Sequence, residues 1–349
     1  MSIVRRHATR TDLSPVWRAG HLAVMRIGAI FWVVILLTLP ALAQAGTRPV
    51  FAPGSFWYKP VPRDVALNSN SANYVSEFLR QIHVYYGTVG INAAAYSSPV
   101  YVAGSDVPAQ PVAQWDCHKS GYVDRDLTRQ WAAVPIPSYA QPADGTDSEM
   151  TVYQPSTDRM WEFWRARQVG GQWEACWGGG MQNVSRNAGI WAPHYGAAAT
   201  GLPFAPGQIT VDDLRSGAIR HVMGIALVDA QWGSVLSWPA NRSDGYNPKN
   251  AQNRIPEGTR FRLDPSVNVD TLPIHPVAKM VAKAAQTYGF VVWDKAGSIS
   301  LRFQNPKDFT LTGKDNPYPQ LWNGTPSYKI LAGIPWDKLQ FLPSDYGKP

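Results

Sequence analysis

Two cysteines, Cys117 and Cys176, are too few for a disulfide-stapled scaffold or a thiolate metal cluster, and they form no CxxC pair. Charged residues make up only 16% of the chain, and no Lys/Arg run is dense enough to track a phosphate backbone. That excludes nucleic acid as the partner the charge pattern would select. No apolar stretch reaches the ~20 residues a membrane-spanning helix needs. GxSxG, HExxH, P-loop and dinucleotide fingerprints are all missing, so those catalytic classes find no support. Internal repeats and low-complexity linkers are absent as well.

What the chain does have is tryptophan: 15 Trp and 15 Tyr in 349 residues. Between Met150 and Val184 the indoles are interleaved with carboxylates, in the order Asp158, Trp161, Glu162, Trp164, Trp173, Glu174 and Trp177. Flat aromatic faces beside acids suit a protein that grips a sugar ring and acts on it.

The N-terminal segment reads as a leader. Ile27–Leu39 is almost unbroken apolar sequence, preceded by Arg18 and Arg26 and followed by Pro40 and a small-residue Ala41-Leu42-Ala43 or Ala43-Gln44-Ala45 site. This is the arrangement of a secretory signal peptide over residues 1–45, with a single membrane anchor as the alternative. The leader also carries Arg5, Arg6 and Arg10 against Asp12, so most of the formal charge of +7 belongs to it. The expected product is a secreted, extracellular protein with no membrane contact after cleavage. In an oxidising compartment Cys117 and Cys176 read as one disulfide, and two separately buried thiols are the alternative.

Residues 46–349 are expected to form a single mainly-β domain with extended, Pro-rich arms at both ends. Two helices punctuate it. One starts near Asn70 with Val75, Phe78, Leu79, Ile82 and Tyr85 at helical spacing. The other starts at Pro276 with Val277, Met280, Val281, Ala284, Ala285 and Tyr288 as its stripe. Short strands separated by turn residues elsewhere predict an antiparallel β-sandwich, jelly-roll-like, with those two helices packed on it. Within it, Arg159–Val169 reads as one strand, with Glu162 and Trp164 on one face and Trp161 and Phe163 on the other. Gly170-Gly171 makes a hairpin turn into Gln172–Trp177, and Gly178-Gly179-Gly180 gives a sharp turn or a close approach to a ligand.

Glycoside hydrolysis needs one carboxyl group to protonate the leaving oxygen and a second to attack or to activate water. Glu162 is the leading candidate, because apolar neighbours would raise its pKa; Asp158 or Asp294 would be its partner. His221, in the apolar strand-like run Ala218–Val228, reads as a satisfied core histidine or as the base of a polysaccharide lyase. Arg262 would neutralise a uronate carboxylate in that case, or else pair with a neighbouring acid. Trp161, Trp164 and Trp238 would be sugar platforms, with Asn241, Arg242 and Asp244 bonding hydroxyls from the loop after Trp238. Asp244-Gly245 reads as a turn rather than a Ca²⁺ loop, and no cofactor or metal is called for.

Met150–Trp164, Ser237-Trp238-Pro239-Ala240-Asn241-Arg242-Ser243-Asp244-Gly245 and Tyr288-Gly289-Phe290-Val291-Val292-Trp293-Asp294 resemble a family of secreted bacterial, largely actinobacterial, proteins. The resemblance implies export and one structural unit, with β-sandwich polysaccharide-active proteins as an analogy of fold; it carries no catalytic assignment. These readings converge on a carbohydrate-active enzyme, a glycoside hydrolase or polysaccharide lyase, acting on a polysaccharide or oligosaccharide. A non-catalytic extracellular glycan-binding protein is the rival.

Overall fold

The computed structural model describes residues 50–349, which fall in one contact unit spanning Gln44–Pro349. The segment read as a leader, residues 1–45, therefore lies outside the described residues. Among the described residues thirteen short strands form three sheets. The largest has the order β1 (Gly90–Asn92), β12 (Ser300–Arg302), β9 (Met223–Leu227), β11 (Phe290–Lys295), β10 (Arg260–Leu263) and β13 (Leu339–Phe341). A second runs β2 (Val100–Val102), β4 (Met150–Gln154), β5 (Arg159–Trp164), β8 (Trp177–Gln182). The third is β3 (Val112–Gln114), β7 (Gln172–Ala175), β6 (Arg167–Val169). The helices are α1 (Ser71–Val84), α2 (Arg125–Gln130), α3 (Phe204–Gly207), α4 (Val211–Ser216), α5 (Pro276–Thr287), α6 (Lys307–Thr310) and α7 (Tyr318–Trp322). Among the described residues no helix is long and apolar enough to cross a membrane.

The β-rich expectation holds, but pairing is not purely antiparallel. Each sheet is mixed: β1–β12, β9–β11, β2–β4 and β3–β7 are parallel. Parallel neighbours need crossover connections, and here long loops and short helices supply them. Both anticipated helices form. On α1, Phe78 is buried against Phe261 and Trp336 at ring separations of 5.8 Å. On α5, Pro276 opens the first turn, His275 Nδ1 accepts from Val277 N, and the Val277/Val281/Ala284/Ala285 stripe is buried. Both helices share one apolar cluster with Phe261, Phe290, Val292 and Ile225 of the large sheet.

Alternation along β11 sends Val291 and Trp293 to the sheet's other face, into a second cluster with Trp57, Phe204, Met160 and Met181. That layer is shared with the second sheet, whose opposite face (Val152, Trp161, Phe163) meets Trp131, Leu127 and Trp173 in a third cluster. The two central sheets are thus covered on both faces. The N-terminal arm enters the scaffold: Trp57 is fully buried, and its indole donates to Gly189 O at 2.8 Å.

The long strand read from Arg159 to Val169 breaks at Arg165, whose φ of 54° turns the chain out of one sheet and into another. Its face assignment survives the break. Gly170 and Gly171, at φ 58° and 81°, close the predicted two-residue hairpin, with Val169 opposite Gln172. The glycine run at 178–180 is part of β8 rather than a turn. A Cβ on Gly179 would stand 3.0 Å from the Trp191 ring, so the missing side chain makes room for an indole rather than a ligand.

Candidate acidic cleft

A cleft of about 510 Å³ opens where the ends of β4, β5, β8 and β11 meet the loops after β3 and before Glu257. At its floor Arg302 of β12 bridges two acids: Nη1 donates to Glu149 Oε1 at 2.6 Å, and Nη2 to Asp294 Oδ2 at 2.8 Å. A bulge on β11 aims Asp294 there. Val292 pairs with Ile225 and Asp294 with the next residue, Ala226, leaving Trp293 as the extra residue. Strict alternation would have turned Asp294 towards the helix-covered face. The inserted residue puts it on the Trp293 side, as bulges beside functional sites do. Arg302 stacks 4.0 Å over Phe204 and 5.6 Å from Trp293, so its own position is fixed by packing.

Burial raises both acids, and the Arg302 charge opposes it. Asp294 is pushed up to about 7, and Glu149 is raised for the same reason. Their access differs: the Asp294 side chain is 15% exposed, that of Glu149 only 1%. Glu149 Oε2 is buried without a hydrogen-bond partner.

Aromatic side chains form the walls. Trp164 and Trp177 sit opposite each other at the ends of β5 and β8. The Trp164 indole donates to Asp147 Oδ1 at 3.1 Å and stacks on His118 at 5.7 Å. Trp177 stacks on Tyr195 at 6.2 Å. Trp115 carries the Arg167 guanidinium 3.7 Å from its ring centroid. The loop after β3 is shaped by Asp116, whose carboxylate accepts from Ser120 N, Ser120 Oγ and Gly121 N; those bonds hold it below the usual carboxylate range. Cys117 and Cys176 are bonded to each other, which clips this loop to the start of β8.

The remaining side is the loop 242–244. Arg242 donates to the backbone carbonyls of His194, Gly196 and Ala198. Asp244 is exposed in the cleft. Its backbone N–H donates to Glu257 Oε2 at 3.1 Å, and Lys295 Nζ donates to its carbonyl. Glu257, fully buried behind the loop, is pushed up to about 8 by burial and then by the nearby Asp244 charge.

Of the residues singled out from sequence, Trp164, Arg242, Asp244 and Asp294 line this cleft. The others stand elsewhere. Glu162 is fully buried between the central sheets, where Oε1 accepts from Phe204 N at 2.7 Å and Oε2 from the Trp191 indole at 3.1 Å. Burial pushes it up to about 7, as expected from its apolar neighbours, but no substrate reaches it there. Asp158 caps a turn, taking Ser185 N and Oγ. His221 precedes β9 and is 1% exposed, with Nε2 3.2 Å from Asp213 Oδ2 and Nδ1 2.9 Å from Val222 O; it is a satisfied core histidine. Trp161 belongs to the third core and donates to Gln130 O. Trp238 packs edge-on against Phe56. Arg262 ties the N-terminal arm through Pro62 O and Arg63 O, and Asn241 donates to Trp191 O.

Glu149, Asp147, Trp115, Trp177 and Arg302 were not singled out as site residues. The WDCH run around Cys117 was the available signal for the loop: a disulfide there places Trp115 and Asp116 beside Trp177. Among the described residues the one group with metal-type ligand spacing is Cys117, His118 and Cys176, and its two sulfurs are already bonded to each other. No protein family, curated protein or solved structure matches this chain.

Proposed function

We propose that this is a secreted carbohydrate-active enzyme that hydrolyses a glycosidic bond in the acidic cleft. The observation that carries the reading is Asp294, a carboxyl group held near neutrality, partly exposed in a Trp-walled cleft and accompanied by a second, solvent-facing carboxylate, Asp244. Asp294, protonated, gives its proton to the leaving oxygen. Asp244 attacks the anomeric carbon or activates water from the other side. As the proton leaves, Arg302 Nη2 already sits 2.8 Å from the carboxylate that forms, which stabilises it until it is reprotonated. Trp164 and Trp177 offer ring faces for sugar stacking. Export is supported by the leader sequence and by the disulfide. A lyase could take its base from His118 or Tyr122 in place of the buried His221, but every cation of the cleft is already bound and none is left to neutralise a uronate carboxylate, so hydrolysis is the better-supported reaction.

The test is product analysis on a panel of polysaccharides with wild type, Asp294→Asn, Asp244→Asn and Glu162→Gln. New reducing ends should form with wild type and with folded Glu162→Gln, and should be lost in both cleft variants. Glycan binding without product from wild type would instead establish a binding protein, and full turnover by Asp294→Asn would remove the acid from the mechanism.

A further inference from the structure

Deepening this reading, and resting on it, we infer that the cleft takes a cationic saccharide, an oligomer of amino sugars with free ammonium groups. Five acidic side chains line it, Asp116, Asp147, Glu149, Asp244 and Asp294, against Arg242, Lys295 and the Arg302 that bridges Glu149 and Asp294; with Asp294 protonated, four acids face three cations. All three cations are already committed: Arg242 to three backbone carbonyls, Lys295 to the Asp244 carbonyl and Arg302 to the two floor acids. Hydrogen-bond acceptors therefore outnumber free donors, and a uronate would add negative charge to a site that has no cation to spare for it.

A second observation points the same way. Glu149 lines the floor; its side chain is 1% exposed, and Oε2 is buried with no donor to it while Oε1 is taken by Arg302. A buried carboxylate oxygen left without a donor is costly, and an ammonium delivered by the ligand would satisfy it with a charge-assisted bond. Trp115, Trp164 and Trp177 add aromatic faces able to hold both a sugar ring and a neighbouring cation. A neutral sugar would find the stacking surface but bring no countercharge to Asp147 and Asp244.

The experiment is calorimetric titration of the full chain at pH 6 and low salt with three matched hexamers: glucosamine, N-acetylglucosamine and a uronate. The glucosamine oligomer should bind at least about tenfold tighter than the acetylated one, with no detectable binding of the uronate. The margin should shrink several-fold in 0.5 M salt, as an electrostatic preference must. Asp147→Asn should narrow it, and an unchanged urea midpoint in that variant separates charge loss from misfolding. Equal affinity for glucosamine and N-acetylglucosamine, or preference for the uronate, overturns the inference but leaves glycoside hydrolysis standing if products still form. Hexalysine displacing the glucosamine oligomer at equal concentration overturns it too, since charge alone would then suffice. Failure of every saccharide to bind removes both proposals together.

Discussion

Replacing Glu162 by Gln tests the interior of this fold through its response to pH. In the folded protein the Glu162 carboxyl is pushed up to about 7 by complete burial, whereas in the unfolded chain it returns to about 4.5. An acid whose pKa is higher in the folded state binds more protons there. Its contribution to stability is therefore fully present below about pH 4.5, declines as pH rises towards 7, and is flat beyond. A displacement of that size corresponds to about 3 kcal/mol of stability lost across the interval. Gln cannot ionise, so this part of the slope disappears in the variant. Gln also brings an amide N–H₂ to a pocket whose contributions are both donors, Phe204 N and the Trp191 indole. One of those must lose its acceptor, which costs about 1–3 kcal/mol at every pH. The variant should thus be clearly less stable than wild type at pH 4.5 and equal to it, or more stable, at pH 8.5. Urea midpoints at half-unit intervals check this, and the difference between the two curves isolates Glu162 because the other raised acids are common to both. A stability difference that stays constant from pH 4.5 to 8.5 would refute the sealed, near-neutral carboxyl.

In the cleft, hydrolysis that uses protonated Asp294 should fall about tenfold per pH unit above 7, and a flat profile to pH 9 would exclude that role. Exchanging both Cys117 and Cys176 for Ala reopens a loop of 59 residues' separation and should lower stability by about 4 kcal/mol, read as a fall in the urea midpoint. Trp161→Ala should lose about 3–5 kcal/mol of stability, while Trp164→Ala should weaken glycan binding with a much smaller effect on unfolding. Arg302→Met strands Glu149 and Asp294 and should destabilise by about 3–5 kcal/mol above neutral pH, with partial recovery in acid as the two carboxyls protonate.

Local signals were legible where one strand or helix carries its own pattern. The α1 and α5 stripes, the Gly170-Gly171 hairpin and the alternation of Trp161, Glu162, Phe163 and Trp164 all follow from periodicity and turn chemistry. The same alternation misplaced Glu162. A polar residue across from an apolar face implies solvent only when the sheet has a wet side, and here Phe204 and Trp191 cover that side. Arg262 and Asn241 bond backbone carbonyls of segments far away in sequence, which no local reading anticipates. The cleft floor is the extreme case: Glu149 and Arg302 are 153 residues apart, and Asp294 reaches them only because an extra residue in β11 reverses its direction.

The disulfide and Arg242 act on opposite banks of the same channel, and they differ in kind. One bank is welded covalently to the sheet beneath Trp177; the other hangs on three carbonyl acceptors within residues 194–198. Any adjustment of the aperture to a bulkier or branched guest must then fall on the 242–245 side, which makes that short stretch the place to begin when altering what the channel admits.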